Sequence, residues 1–400
     1  MRKKARRTRI IWECLLGAWI VGPALLWSVG TEDSGESEFF RTPTPHEAHL
    51  LRLGREGLLE TPAGRQWLDA AYMAIDHPLS VGSAYQEEGL FPSASSQPLG
   101  LRIHIPEGQR LTLQVEGTAD ETPLLFLDFF RAAPDTLRRP VPLESGEIGE
   151  GVWRFDSPEN ADYILRLQPQ VAQGGSFRVK TRVGAPFRFP VVGAGSEDIG
   201  GLFGDPRDGG RREHHGVDIF KPRGTPVLAA AEGTITSVAE TGLGGRVVWQ
   251  REAEGRYSFY YAHLDRQLVR RGQRVREGDT VGLVGNTGNA RNTPPHLHFG
   301  IYRRGRGPVD PWNLIFPVPP PLPELRADLN AVGTWLRTTE EGTPLRRAPS
   351  PQGDVLWELP LHEEVRVLAG AGDWYRVGFP GGAVGYIFAG QLEPSPPSTP

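Results

Sequence analysis

The run Arg212-Glu-His-His-Gly-Val-Asp218 and the run Pro295-His-Leu-His-Phe299 bring metal-type ligands together in two short, separated pieces of the chain. Half of the ten histidines fall between positions 214 and 298. Imidazole and carboxylate groups together suit zinc, and a catalytic zinc site takes three protein ligands while leaving a fourth position open for water. His214, Asp218 and one histidine of the second run would supply that set.

The second run predicts a division of roles between its two histidines. Side chains two apart on a strand point the same way, so His296 and His298 can face one groove about 7 Å apart along the chain. One can bind the metal while the other faces the substrate. Each run alone is weak evidence, because an alternating histidine pair is more often a half-buried surface feature and H-x-x-x-D has many chance matches.

A third piece strengthens the pattern, since His263 lies between the two runs and follows aromatic residues typical of a strand. Taken together and in this order, the pieces resemble the lysostaphin/LytM-type zinc metallopeptidases over roughly positions 185 to 316. The motifs that carry the resemblance are Phe203-Gly204, the H-x-G-x-D run from His214 to Asp218, Tyr261-Ala-His-Leu264, Gly285-Asn-Thr-Gly288 and His296-Leu-His298.

The resemblance implies a role for each of these side chains. His214, Asp218 and His298 would bind one zinc ion per chain, and His263 and His296 would form the catalytic pair. Many relatives have a second glycine-rich turn before the H-x-H run, where this chain has Asn289-Ala-Arg-Asn-Thr-Pro-Pro295. This departure predicts a differently shaped groove wall and leaves the substrate preference open, without affecting the metal site.

Length and composition predict a multidomain, mainly β protein. A chain of 400 residues is too long for one core. Its 50 glycines and 37 prolines favour short strands and many turns over long helices. The single cysteine, Cys14, lies close to the amino terminus, so the folded part is expected to contain neither a disulfide nor thiolate chemistry.

The charge balance gives no reason to expect nucleic acid as a partner. The net charge is −4 and the isoelectric point is near 6.2. Arginines crowd the metal-binding region, and we interpret most of them as a solvated face, although they could attract an anionic polymer. They stand at positions 207, 211, 212, 223, 266, 270, 271, 274, 276, 303, 304 and 306.

The amino terminus predicts export. A basic run, Arg2 to Arg9, precedes an apolar stretch from Cys14 to Val29. The short stretch, its internal Pro23 and the small residues before Thr31 favour a cleaved signal peptide over an uncleaved membrane anchor. Either form delivers the chain to the periplasm or cell envelope, and the anchor would be the only membrane contact.

Beyond the leader, pattern changes divide the chain into segments. Thr44-Pro-His-Glu47 predicts a helix start with a capping box, and alternating apolar residues after position 99 predict a small β-sandwich. Pro317 to Pro323 predicts a stiff spacer that keeps its neighbours apart. The predicted segments are 1–30 signal peptide or anchor, 31–98 linker and helical segment, 99–185 β-sandwich, 186–316 LytM-type antiparallel β metallopeptidase domain, 317–330 proline-rich linker, 331–393 SH3-like barrel and 394–400 tail.

The carboxyl-terminal segment resembles bacterial SH3-like domains, through runs such as Val355-Leu-Trp-Glu-Leu359 and Gly372-Asp-Trp-Tyr-Arg-Val377. With the metallopeptidase resemblance, this implies a zinc endopeptidase that hydrolyses the peptide cross-links of peptidoglycan. A non-enzymatic LytM-like activator or scaffold for other cell-wall hydrolases is the alternative, and a protease of secreted proteins is a third. The sequence leaves open which cross-link is cut, which of His263 and His296 is the general base, the role of the sandwich and the oligomeric state.

Overall fold

The computed structural model describes residues 42–93, 97–117, 124–132, 141–379 and 382–396. The predicted leader at 1–30 and the last four residues of the predicted tail lie outside these ranges. Among the described residues, no helix is long and apolar enough to cross a membrane.

Two amphipathic helices open the described chain, α1 (Pro45–Arg55) and α2 (Pro62–Asp76). The predicted capping box is present at α1, because the Glu47 N–H donates to Thr44 Oγ1 at 3.2 Å and the Thr44 N–H donates to Glu47 Oε2 at 2.8 Å. The helices dock on the sandwich through a buried aromatic cluster. The His46 ring stacks on Trp67 at 4.7 Å, and both rings contact Phe126.

A β-sandwich follows, and it begins about twenty residues before position 99. The sequence did not predict its second strand, because the alternation of apolar residues is broken there. The inward positions carry Glu87 and Gly89 as well as Tyr85 and Phe91. One sheet has the order β1-β3-β8-β5-β6, and β2, β9, β4 and β7 form the facing layer. The strands are β1 (Leu79–Val81), β2 (Ala84–Phe91), β3 (Leu99–Ile105), β4 (Arg110–Gly117), β5 (Leu125–Arg131), β6 (Pro142–Ile148), β7 (Gly151–Asp156), β8 (Ala161–Pro169) and β9 (Gly175–Gly184).

The third unit is built on an antiparallel sheet with the order β10-β13-β21-β17-β16-β15-β19, to which β22 adds at β21. A smaller sheet, β14-β20-β18, packs beside it over a shared apolar core. The elements are β10 (Ile199–Gly201), β11 (Pro206–Arg207), β12 (Arg212–Glu213), β13 (Val217–Phe220), β14 (Pro226–Leu228), β15 (Gly233–Thr241), β16 (Gly245–Glu252), β17 (Tyr257–Leu264), β18 (Arg266–Gln267), β19 (Arg274–Val275), β20 (Thr280–Leu283), β21 (His296–Arg303), β22 (Gly307–Val309) and α3 (Trp312–Ile315).

The carboxyl-terminal unit is a small antiparallel barrel-like domain with its own core around Leu345, Val365 and Val377. The mainly β fold class that the sequence predicts is therefore confirmed. Its strands are β23 (Trp335–Thr338), β24 (Thr343–Arg346), β25 (Val355–Leu359), β26 (Glu364–Ala371), β27 (Trp374–Gly378), β28 (Val384–Phe388) and β29 (Leu392–Pro394).

The proline-rich segment packs against the sandwich, whereas its expected separation of the metallopeptidase and carboxyl-terminal domains stays a prediction. Strand β2 of the sandwich pairs with β26 of the carboxyl-terminal domain, so one sheet runs through both units. The proline segment lies along this sheet, since the Ala185 N–H donates to the Pro317 carbonyl at 2.9 Å and Gln86 Nε2 donates to the Pro323 carbonyl at 2.5 Å. A polyproline strand is stiff, but stiffness does not prevent it from packing sideways.

Buried polar groups join the two units beneath this sheet. Arg376 Nε donates to Glu87 Oε2 at 2.9 Å, and the Tyr85 hydroxyl donates to the same oxygen at 2.5 Å. The Tyr85 and Tyr386 hydroxyls lie 2.7 Å apart. Glu87, Arg376 and Tyr386 are almost completely excluded from solvent. The ion pair therefore ties a sandwich strand to a strand of the carboxyl-terminal domain.

Candidate metal centre

Strand pairing brings the two metal-type runs together on one face of the large sheet. Asp218 on β13 stands directly opposite His298 on β21, and Phe220 stands opposite His296. His214 lies in the short connection that leads into β13. Strand register therefore places Asp218 and His298 side by side, although they are 80 residues apart in sequence.

Three donor atoms form a compact triangle at this position. Asp218 Oδ1 lies 3.0 Å from His214 Nε2 and 3.1 Å from His298 Nδ1, and the two nitrogens are 2.8 Å apart. Tetrahedral zinc, with bonds of about 2.0–2.1 Å to nitrogen and oxygen, needs its ligand atoms roughly 3.3 Å apart. His214, Asp218 and His298 therefore have the chemistry and nearly the spacing of three zinc ligands.

Hydrogen bonds around the triangle orient the donors. His214 Nδ1 lies 2.7 Å from the Leu202 carbonyl, which can only accept, so this nitrogen carries the proton and Nε2 is left to face Asp218 and His298. Arg207 Nη2 donates to Asp218 Oδ2 at 2.8 Å. One carboxylate oxygen is thus held by arginine and the other stays in the triangle, an arrangement that fixes ligand geometry.

The sequence assigns Arg207 no role of its own, because it is one of twelve arginines of which most are interpreted as a solvated face. The structure makes Arg207 an exception. The hairpin of β11 and β12 carries Arg207 back beside Asp218 and to 2.9 Å from His214 Nδ1. This second approach is not a hydrogen bond, because Nδ1 already donates to Leu202. The only local signal in the sequence is its position three residues after Gly204, just beyond the first matching motif.

Burial and charge shift the pKa values of two of the three donors. Burial would raise the pKa of the Asp218 carboxyl, yet hydrogen bonds and charge from His214 and His298 hold it well below its usual range. Burial lowers the pKa of His298. A dissociated carboxylate and a neutral imidazole are the forms that bind zinc.

His263 and His296 flank the triangle and share one geometry. His263 Nδ1 donates to the Thr287 carbonyl at 2.9 Å, and His296 Nδ1 donates to the Pro294 carbonyl at 3.0 Å. In the neutral form of either ring, this hydrogen bond leaves Nε2 as the unprotonated nitrogen. The two ring centroids are 5.0 Å apart, and His296 Nε2 lies 4.0 Å from Asp218 Oδ1.

The Gly285-Asn-Thr-Gly288 motif explains how both rings are held. The Gly285 carbonyl accepts the His296 backbone N–H at 3.0 Å, while the Thr287 carbonyl accepts His263 Nδ1. His263 adopts a left-handed backbone with φ of 63°, which its bonds to Thr287 and Gly244 maintain. Burial, followed by the charges of His296 and His298, lowers the pKa of His263 to about 4, so it is a neutral proton acceptor near pH 7.

The departure at Asn289–Pro295 forms a short 3₁₀ turn over Gly288–Asn292 next to this motif. Asn286 Nδ2 donates to the Arg291 carbonyl at 3.2 Å across the turn. The shape of the groove wall at this turn and its effect on substrate preference stay predictions.

Comparison with protein families supports both resemblances. The model described as peptidase family M23 matches residues 212–311, and the model described as bacterial SH3 domain matches residues 341–393. The predicted metallopeptidase and SH3-like domains are thereby confirmed, and M23 peptidases are the zinc-dependent class to which the donor set corresponds.

Individual relatives match the same region. A peptidoglycan DD-endopeptidase of Vibrio cholerae is 38% identical over 106 residues, which is 25% of this chain and 24% of the relative. An L-Ala--D-Glu endopeptidase of Bacillus subtilis is 36% identical over 134 residues, 31% of this chain and 38% of the relative. This chain thus spans well under half the length of these relatives.

Among solved structures, the catalytic domain of the antimicrobial peptidase lysostaphin from Staphylococcus simulans is 32% identical. The match covers 28% of this chain and 87% of that domain, with a TM-score of 0.26.

Proposed function

We propose that this chain, with its M23-type and bacterial SH3-type domains, is an exported zinc metalloendopeptidase that hydrolyses peptide cross-links of bacterial peptidoglycan. The observation that carries the proposal is the triangle of His214, Asp218 and His298 with two further histidines aimed at it. A purely structural cluster would have no reason to keep two proton-accepting nitrogens beside three zinc-type donors.

Each group in the site has a proposed task. When bound by His214, Asp218 and His298, zinc would polarise a peptide carbonyl and lower the pKa of a water molecule. His263 and His296 approach from different strands and act at their Nε2 atoms. One would accept a proton at Nε2, and the other would stabilise the developing oxyanion by donating a hydrogen bond, which requires a proton on its Nε2. Arg207 acts indirectly, by holding Asp218 in its ligating orientation.

The substrate class rests on the relatives and on the domain content. The two relatives are peptidoglycan peptidases named for different bonds. We therefore propose peptidoglycan as the polymer and a peptide bond as the type of bond that is cut, without choosing a particular cross-link. An exported chain that also carries a bacterial SH3-type domain suits action in the cell envelope, and the leader at 1–30 is the proposed route there.

A non-enzymatic activator or scaffold is less well supported. Such a protein needs a surface for its partner hydrolase but has no need of a complete donor set. In the described part of this chain, the ligands, their orienting partners and both histidines are all in place.

Digestion of purified sacculi by the exported portion, followed by mass spectrometry of the soluble products, tests these alternatives together. New termini within peptide cross-links, absent when Asp218→Ala is used, support the endopeptidase. An activator would release nothing alone but would increase release by an added amidase. Cleavage of denatured secreted proteins with untouched sacculi would instead indicate a general protease.

A further inference from the structure

The sheet face that carries the metal centre continues as a row of half-buried aromatic rings. The Tyr260 ring lies 5.8 Å from His298, Trp249 lies 4.6 Å from Tyr260, and Tyr302 lies 5.0 Å from Trp249. Alternation on β21 puts His298 and Tyr302 on the same face, and four residues of strand span roughly 13 Å. An extended peptide over the metal centre can therefore run along these rings.

The row ends at a cleft rich in arginine. Its volume is about 570 Å³, and it opens at the end of the large sheet opposite to the metal centre. Hereafter we call it the arginine cleft. Its lining consists of Arg251, Ala253, Gly255, Ser258, Tyr302, Arg303 and Arg304.

The three arginines of the cleft are exposed and carry uncompensated charge. Within the described ranges, no ion pair involves Arg251, Arg303 or Arg304. Their neighbour Arg256 behaves differently, since it pairs with Asp156 at 2.8 Å and with Glu254 at 2.6 Å. Two nearby carboxylates, those of Asp156 and Glu254, are thus already engaged by Arg256.

Guanidinium groups favour a particular class of ligand. Their planar fork matches a carboxylate with two parallel hydrogen bonds, and several unpaired cations in one cleft attract anions over a Debye length of about 10 Å. Aromatic rings beside the cations offer apolar contact to a peptide backbone. The combination suits an extended peptide that carries free carboxylates.

We propose that the arginine cleft is a subsite for the carboxylates of an acidic peptide substrate, whose cleaved bond lies over the metal centre about four residues away. The inference rests on the proposed function, because it assumes that the metal centre cuts peptides. It adds a reason why this chain would prefer acidic stem peptides over neutral ones.

Soluble cross-linked muropeptides, native or with their carboxyls amidated by carbodiimide coupling, provide two substrates that differ mainly in charge. The wild type is expected to favour the native form in kcat/KM, chiefly through a lower KM. In the double variant Arg251→Glu/Arg304→Glu, this preference should fall by about three- to ten-fold, the range for two exposed ion pairs, with kcat unchanged. The charge-conserving Arg251→Lys/Arg304→Lys should keep the part of the preference that positive charge supplies and lose the part that the bidentate guanidinium fork supplies.

Arg266→Glu/Arg270→Glu is the matched control, because it reverses two exposed arginines around β18 on the other sheet. The control should behave as the wild type does, and thermal unfolding should show all variants folded. An equal native-to-amidated ratio in the wild type and in the cleft variant overturns the inference. Absence of turnover on every muropeptide overturns the proposed function instead, and binding of fluorescent native and amidated monomeric muropeptides then tests the cleft by the same comparison.

Discussion

One carboxylate oxygen of Asp218 accepts a hydrogen bond from Arg207, and the other belongs to the donor triangle. Removal of this side chain therefore takes away a zinc-type donor and the partner of Arg207 together. We expect about one zinc per chain in the wild type and loss or great weakening of zinc binding in Asp218→Ala and His214→Ala, because two remaining ligands give too little affinity. Metal analysis after dialysis measures this. The exposed neighbour Glu213→Ala serves as control, and undiminished zinc in both ligand variants would refute the assignment.

The two flanking histidines should separate catalysis from metal binding. His296→Ala and His263→Asn are expected to keep zinc and fold but to lose about 10² to 10⁴ in turnover, the range for a positioned acid or base. Asparagine is chosen at 263 because it tolerates the left-handed backbone there. Zinc content and muropeptide turnover are measured on the same samples, and loss of zinc in His296→Ala with retention in His298→Ala would reverse their roles.

The residues of the centre differ in how far sequence could predict them. Five residues lie in short contiguous motifs, where the two-residue repeat of a strand keeps their side chains on one face. The structure brings all five together, namely His214, Asp218, His263, His296 and His298. Arg207 could not be placed in the same way, because its position depends on a hairpin whose strands are two residues long.

At the scale of elements, the docking of α1 on the sandwich should depend on pH. Burial, followed by the charge of Arg166, lowers the pKa of His46 to about 4, while Asp128 acts in the opposite direction. The unfolded chain, with a pKa near 6.5, therefore binds the proton first as pH falls. His46 contributes stability that is complete above pH 6.5 and is lost towards pH 4, at up to about 1.4 kcal/mol per pH unit.

Thermal unfolding of the wild type and of His46→Gln between pH 7.5 and pH 5 checks this expectation. The wild type should lose stability more steeply on acidification, whereas its Nε2 hydrogen bond to Gln168 at 2.9 Å should give it the advantage at pH 7.5. Because the charge of His49 also lowers the pKa of His46, the difference between the two proteins reports His46 together with its interaction with His49. Parallel curves would contradict the burial of a neutral imidazole at this position.

Strands were predictable where apolar alternation is regular, as in β4 and β9, whose inward positions are apolar along most of their length. Strand β2 breaks the rule because Glu87 points inward and finds its partner 289 residues later, in Arg376. No local pattern can reveal a buried charge whose compensation arrives from another domain.

For the whole molecule, the Glu87–Arg376 pair makes the two β domains depend on one another. Arg376→Met should cost about 3–5 kcal/mol of unfolding free energy, because it leaves the buried Glu87 carboxylate without its cation. The double variant Glu87→Gln/Arg376→Met should recover much of that loss. Denaturant unfolding of the three proteins measures the effect, and a single variant as stable as the wild type would show that the pair does not couple the domains.

The pairing of β2 with β26 also affects whether either domain can be moved into another protein by recombination. Each strand shields hydrogen-bonding groups that the other would otherwise leave open, and an unpaired edge of this kind is a template for joining foreign strands. Separating the two domains at the proline segment would expose two unpaired strand edges at once. The SH3-type domain of this chain is therefore poorly suited to transfer on its own. Recombination into another protein would have to include the sandwich as well.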